Sequence, residues 1–129
     1  LSPKWAGILT GEAQPAAYED TGVKKIAILM TDGEYNTQYD ANGIMTSTNS
    51  TSPVNAASNT QARSVCSSMK AEGVEVYTVG FDLDNASAIA TLNHCATNPG
   101  TAYLVQDGEQ LRNAFRDIAI KLSPLHLTN

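Results

Sequence analysis

The sequence predicts an α/β fold, with a parallel sheet of about three strands and helices packed against it. Three short apolar segments, residues 25–31, 74–81 and 102–105, have the length and composition of strands and end in turn-forming residues. Each is followed later in the chain by apolar residues at helical spacing, and this alternation of strand and helix is typical of a parallel sheet. With 129 residues, the chain is long enough for one domain and too short for two.

The first of these strands carries the best candidate for a functional residue. Its unbroken apolar run, residues 26–30, predicts a strand that is buried on both faces. The strand ends in Thr31 and Asp32, and Gly33 and Glu34 follow them. Open α/β sheets bind their ligands outside the carboxyl ends of their strands, and Gly33 permits a sharp turn there. These four residues are therefore predicted to form a loop on the ligand face. Asp32 is either its functional carboxylate, which we favour for the full-length protein, or a cap of the turn through Gly33 and nearby amides, which we favour for this segment alone.

The segment after the first strand predicts a long loop followed by a helix. Residues 35–59 are rich in serine, threonine and asparagine, and loops of this length are usually binding loops or disordered segments. Ser58 and Gln61 match a capping box, which predicts a helix over residues 58–72. Val65 belongs to the apolar stripe that this helix is predicted to bury.

Two further helices are predicted from their N-terminal residues. Asp84 follows the second strand and is the predicted N-cap of the second helix. Asp107 and Gln110 are predicted to cap the last helix, which Pro124 ends.

Charge and hydropathy exclude some classes of protein. Thirteen acidic and eight basic residues give a formal charge of −5, which argues against nucleic-acid binding and favours a cation as partner. The chain has no apolar stretch near the ~20 residues that a membrane-spanning helix needs. Because it begins at Leu1, we interpret it as part of a longer protein, in which a targeting segment or membrane anchor would lie upstream.

The two cysteines, Cys66 and Cys95, allow either one disulfide or two buried thiols. Each lies in a predicted helix, and right-handed crossovers place both helices on the same face of the sheet. This placement favours the disulfide, and with it an extracytoplasmic location.

Three segments resemble parts of von Willebrand factor A (VWA) domains. "IAILMTDGE" (residues 26–34) is similar to the fourth strand of that family, which ends in Thr-Asp-Gly. "GVEVYTVGFD" (residues 73–82) resembles the next strand, and residues 104–129 resemble the final strand and helix. The "SPKWAG" lead-in, the paired cysteines and the "LSPLHLT" ending resemble TadG-like proteins of bacterial Tad/Flp pilus assembly. The resemblance implies a single partial domain over residues 1–129, the second half of a Rossmann-like VWA domain.

The resemblance also implies a function, a metal and a location. VWA domains are adhesion or assembly modules without enzyme activity, and a protein partner, here a pilus or surface component, often completes the metal shell. The aspartate at the position of Asp32 contributes to their metal-ion-dependent adhesion site (MIDAS), together with an Asp-x-Ser-x-Ser motif that this chain lacks. We therefore expect Mg²⁺ or Ca²⁺ in the full-length protein and no cofactor in this segment. The implied location is the periplasm or the bacterial cell surface.

Two other classes of function are also compatible with the sequence. A metal-dependent α/β hydrolase could use Asp32 and Asp82, which both follow strands. A domain that binds a nucleotide or another small molecule is the third hypothesis. The sequence contains no GxGxxG, GxxxxGK[ST], HExxH or GxSxG motif to support either.

The first strand is also predicted to lie at an exposed edge of the sheet. In the doubly wound strand order its neighbour on one side would come from the missing first half. Apolar edge strands recruit other chains, so we expect this edge to be covered by a second copy in a homodimer or by the segment around Trp5, Ile8 and Leu9.

Overall fold

A computed structural model describes residues 16–33, 37–48 and 56–123 of the chain. The described residues form five strands and three helices, with a short 3-10 turn at Pro99–Thr101. The strands are β1 (Ile26–Thr31), β2 (Thr37–Tyr39), β3 (Met45–Thr48), β4 (Glu75–Phe81) and β5 (Ala102–Val105), and the helices are α1 (Ala56–Ala71), α2 (Ala86–Cys95) and α3 (Gly108–Leu122). The predictions for Glu34 and for Trp5, Ile8 and Leu9 lie outside the described residues.

The main sheet has three parallel strands in the order β1-β4-β5, which confirms the predicted α/β fold. β4 is the central strand, and its residues 76–80 are all buried. Burial of β1 on both faces was predicted and is wrong, because Ile28 and Met30 are 45% and 47% exposed. β1 pairs with β4 alone among the described residues, and α3 packs mainly over β4 and β5.

Helices cover both faces of this sheet. Tyr77 and Val79 of β4 pack in one cluster with Ala114 and Ile118 of α3. Side chains alternate between faces along a strand, so Val76 and its alternate neighbours point to the opposite face, where α1 and α2 pack.

A disulfide joins Cys66 of α1 to Cys95 of α2, with 5.0 Å between their Cα atoms. Both side chains are buried between the helices and the sheet. The bridge therefore fixes the spacing of the two helices on one face of the sheet.

Two of the predicted helix caps are wrong. α1 begins at Ala56, so Ser58 and Gln61 lie inside the helix and form no capping box.

The N-cap of α2 is Asn85 instead of Asp84, and the Asn85 side chain accepts hydrogen bonds from two backbone N–H groups of the first turn. Asparagine and aspartate are equally good N-caps, so two such residues in succession leave the start of a helix ambiguous by one position. The predicted cap of α3 is confirmed, since Asp107 accepts from the Gln110 N–H at 2.8 Å.

Part of the predicted loop, residues 35–59, folds into an antiparallel hairpin formed by β2 and β3. Asp40 closes its turn by accepting hydrogen bonds from the backbone N–H groups of Asn42 and Ile44, both at 2.8 Å. Gly43 has φ +76°, a left-handed conformation that glycine adopts without strain. No helix in the described part of the chain is long and apolar enough to cross a membrane.

Candidate functional site

The turn after β1 presents Asp32 to solvent at the carboxyl end of the sheet. Thr31 holds this turn: its Oγ1 accepts from the Gly33 N–H at 3.2 Å and donates to the Gly33 carbonyl at 3.1 Å. The hydroxyl of Thr31, rather than the carboxylate of Asp32, therefore closes the turn. The Asp32 side chain is exposed beside it, where a ligand from solution can reach it.

The neighbouring strand places further acidic residues at the same end of the sheet. Asp82 follows β4, and its N–H donates to the Val105 carbonyl at 2.8 Å. Asp82 has φ +50°, the one non-glycine residue with positive φ in the described part of the chain. Asp84 is exposed two residues further on. Because β1 and β4 are parallel, Asp32 and Asp82 leave the sheet in the same direction.

These carboxylates do not form a complete metal shell by themselves. Within residues 16–33, 37–48 and 56–123, no group of three or more histidine, cysteine, aspartate or glutamate side chains is placed to hold an ion. Mg²⁺ and Ca²⁺ take six or more oxygen ligands, and one exposed carboxylate supplies one or two of them. The described residues by themselves could therefore supply only part of the ligand shell of such an ion.

The hairpin formed by β2 and β3 lies beside α1 and was not predicted from the sequence. Gln61 of α1 binds it through both ends of its amide, with Nε2 donating to the Tyr39 carbonyl at 2.8 Å and Oε1 accepting from the Tyr39 N–H at 3.1 Å. Tyr39, Ile44 and Met45 are large side chains that remain exposed on the hairpin. The Asn42-Gly43 dipeptide was the signal that could have predicted the turn.

We expect replacement of Gln61 by leucine to detach the hairpin from α1. Leucine has a similar volume but can form neither hydrogen bond, and each is worth about 1 kcal/mol. Limited proteolysis should then cut between β2 and β3 faster than in the wild type, while the far-ultraviolet circular dichroism of the helices stays the same. Ser64→Leu, on an exposed position of the same helix, is the control. Equal cleavage rates in Gln61→Leu and wild type would show that the hairpin is held by other contacts.

His94 and Cys95 of α2 are adjacent in the sequence but do not form a nucleophilic pair. Cys95 is bonded to Cys66, and the His94 ring lies 3.1 Å from the hydroxyl of Ser67 through its Nε2 atom.

Comparison with known proteins assigns the chain to a family. The model of the von Willebrand factor type A domain matches residues 8–117. The chain therefore belongs to the von Willebrand factor type A domain family.

Two solved structures of a mussel protein have a similar fold. Two structures of proximal thread matrix protein 1 from the mussel byssus match with TM-scores of 0.50 and 0.51, at 19% and 18% sequence identity. Each match covers 81% of this chain and 20% of the mussel chain, so this chain spans about a fifth of the length of that protein. The second of these structures has a zinc-occupied MIDAS motif. At this level of identity the likeness shows the fold alone. A comparison with curated proteins gave no match.

Proposed function

We propose that this chain is the second half of a VWA domain that works as a non-enzymatic adhesion or assembly module. The observation that carries the proposal is the exposed Asp32 at the carboxyl end of β1, within the Thr-Asp-Gly sequence of a chain that belongs to the VWA family. The TadG-like features of the sequence favour a bacterial Tad/Flp pilus-assembly or cell-surface protein. Its partner is then a protein, and the net charge of −5 argues against nucleic acid.

In this proposal Asp32 supplies one ligand of a divalent cation in the full-length protein. The other ligands come from an Asp-x-Ser-x-Ser segment in the first half of the domain and from a carboxylate of the partner. A hard cation such as Mg²⁺ or Ca²⁺ suits this oxygen-rich ligand set. The metal-occupied motif of the mussel protein supports a divalent cation on this fold.

The open side of the sheet supports the assignment to a half-domain. β1 pairs with β4 on one side only among the described residues, and Ile28 and Met30 are exposed beside that open edge. A strand and a helix from the first half would pair with β1 and cover these side chains. When the first half of the domain is absent, we propose that a second copy of the chain pairs with the open edge of β1.

The Cys66–Cys95 disulfide supports a location outside the cytoplasm. Disulfides persist in oxidising compartments, which include the bacterial periplasm and the cell surface.

The function is tested by replacing Asp32 with alanine in the full-length protein. We expect partner binding to fall to the level seen in wild type with a metal chelator, because the cation loses a protein ligand. The fold should be retained, since Asp32 is exposed. Binding is measured by surface plasmon resonance with Mg²⁺ and with chelator, and folding by thermal unfolding.

Asp84→Ala is the matched control, because Asp84 is an exposed carboxylate at the same end of the sheet and caps no helix. It should bind like the wild type. Metal-dependent binding that survives in Asp32→Ala would refute the proposed role of Asp32. Hydrolysis of a generic ester or phosphodiester that is lost in Asp32→Ala and Asp82→Ala would favour the alternative, a metal-dependent hydrolase.

A further inference from the structure

An apolar groove lies between α1 and the hairpin, next to β1. Its volume is about 330 Å³, and we call it the α1–hairpin groove. Its walls include Leu29 of β1, Tyr39 of the hairpin, and Ala62, Val65 and Met69 of α1. Val65 was predicted to be buried by α1 and is instead 54% exposed. An apolar groove next to an open strand edge is a surface that proteins usually cover.

One buried polar group in this groove indicates what its occupant must contain. Ser58 lines the groove and is 4% exposed, and its Oγ has no hydrogen-bond partner among the described residues. A buried hydroxyl without a partner is unfavourable, so the occupant should bring one polar atom to this end of the groove. The remaining walls require apolar side chains.

The first described residues lie near the end of β1 that is opposite to Asp32. The Lys25 side chain donates to the Ala17 carbonyl, so the first described residues lie near the start of β1. The end of α1 lies near the same point, because the backbone that leaves α1 enters β4, and the Glu75 N–H donates to the Lys25 carbonyl at 2.9 Å. Met69 therefore marks the end of the groove that is nearest to the N-terminal segment.

Length and sequence make the N-terminal segment a suitable occupant. An extended segment of the fifteen residues before Ala16 spans up to about 50 Å, and a helix as long as α1 measures only about 24 Å. Trp5, Ile8 and Leu9 have the i, i+3, i+4 spacing that places three apolar side chains on one helical face. Tryptophan combines a large apolar ring with one N–H donor, which matches apolar walls and an unpaired serine oxygen.

We propose that residues 5–9 of the same chain dock in the α1–hairpin groove, with Trp5, Ile8 and Leu9 against its apolar walls. Tethering gives the segment an effective concentration in the millimolar range, which a separate partner must exceed to displace it. The segment then covers the apolar side of β1 that faces α1. This interaction is independent of the metal-dependent function proposed for Asp32.

Site-specific photo-crosslinking tests the proposal directly. A photoreactive amino acid at position 65 lies in the groove, and one at position 64 lies on the exposed surface of the same helix. After irradiation and digestion, mass spectrometry should find position 65 linked to residues 5–9 of the same molecule, and position 64 should give no such product. Crosslinks from position 65 to a second copy, or to any other segment, would overturn the proposal.

Fluorescence provides a second test, because Trp5 is the single tryptophan of the chain. In wild type the emission should be blue-shifted and protected from acrylamide. Val65→Lys should shift the emission to that of an exposed indole and increase quenching severalfold, while Ser64→Lys should change neither. Both substitutions are at exposed positions and add the same charge, so circular dichroism should show an intact fold for both. An exposed indole in wild type, or a buried one that Val65→Lys does not affect, would refute docking in this groove.

Discussion

Removal of the Cys66–Cys95 disulfide is expected to lower the free energy of unfolding by roughly 3–4 kcal/mol, as the chain-entropy model predicts for a loop of this length. The two cysteines are 29 residues apart, and the loop between them contains the end of α1, all of β4 and most of α2. The bridge restricts this loop in the unfolded chain, and the native helices already hold the two sulfurs together. Small domains are stable by about 5–15 kcal/mol, so the loss would be a large part of the total.

Urea denaturation of Cys66→Ala/Cys95→Ala measures this effect against oxidised wild type. Reductant should lower the midpoint of the wild type towards that of the variant and leave the variant unchanged, which is the internal control. Mass spectrometry without reductant should find the two cysteine-containing peptides linked. Alkylation of both thiols in protein purified under oxidising conditions would contradict the prediction, as would equal stability of oxidised and reduced wild type.

The three parallel strands were predictable because each is a short apolar run that ends in residues unable to continue a strand. β5 was predicted with its observed bounds, and β1 and β4 each begin one residue later than predicted. Helix starts were less predictable, because capping preferences are local and several residues near each start satisfy them. Asp84 and Asn85 are the clearest case, since only the packing of α2 on the sheet selects one of them.

The hairpin was not predicted because its strands are short and polar. The serine, threonine and asparagine content of residues 35–59 indicated a loop more strongly than Asn42-Gly43 indicated a hairpin turn. Its position depends on Gln61, which is distant in sequence and contacts backbone atoms only. The place of Asp32 was predictable, because the position at which a strand ends fixes where the next side chain lies. The other ligands of the proposed metal site were not predictable, because metal shells are assembled from segments that are far apart in the chain.

Replacement of Ile28 by lysine is expected to convert a dimer of this isolated segment into monomers. Ile28 and Met30 are exposed on the same face of the sheet as Tyr77 and Val79, and β1 has no second strand beside it among the described residues. The residues of β1 include neither charge nor proline, which are the usual barriers to pairing at an edge. Two copies related by a two-fold axis would pair their β1 strands antiparallel and form one continuous sheet.

Light scattering coupled to size-exclusion chromatography should show a dimer for wild type and a monomer for Ile28→Lys. Ile120→Lys adds the same charge at a position on α3 that is 61% exposed, and it should remain dimeric. Hydrogen exchange distinguishes edge pairing from other contacts, because the outward-facing amides of β1 should be protected in the dimer and exchange rapidly in the Ile28→Lys monomer. A wild-type monomer whose β1 amides exchange rapidly would contradict edge pairing.

In the full-length protein the first half of the domain is proposed to occupy this edge. There Ile28→Lys should lower stability without changing the oligomeric state, because the same strand would then be paired within one molecule.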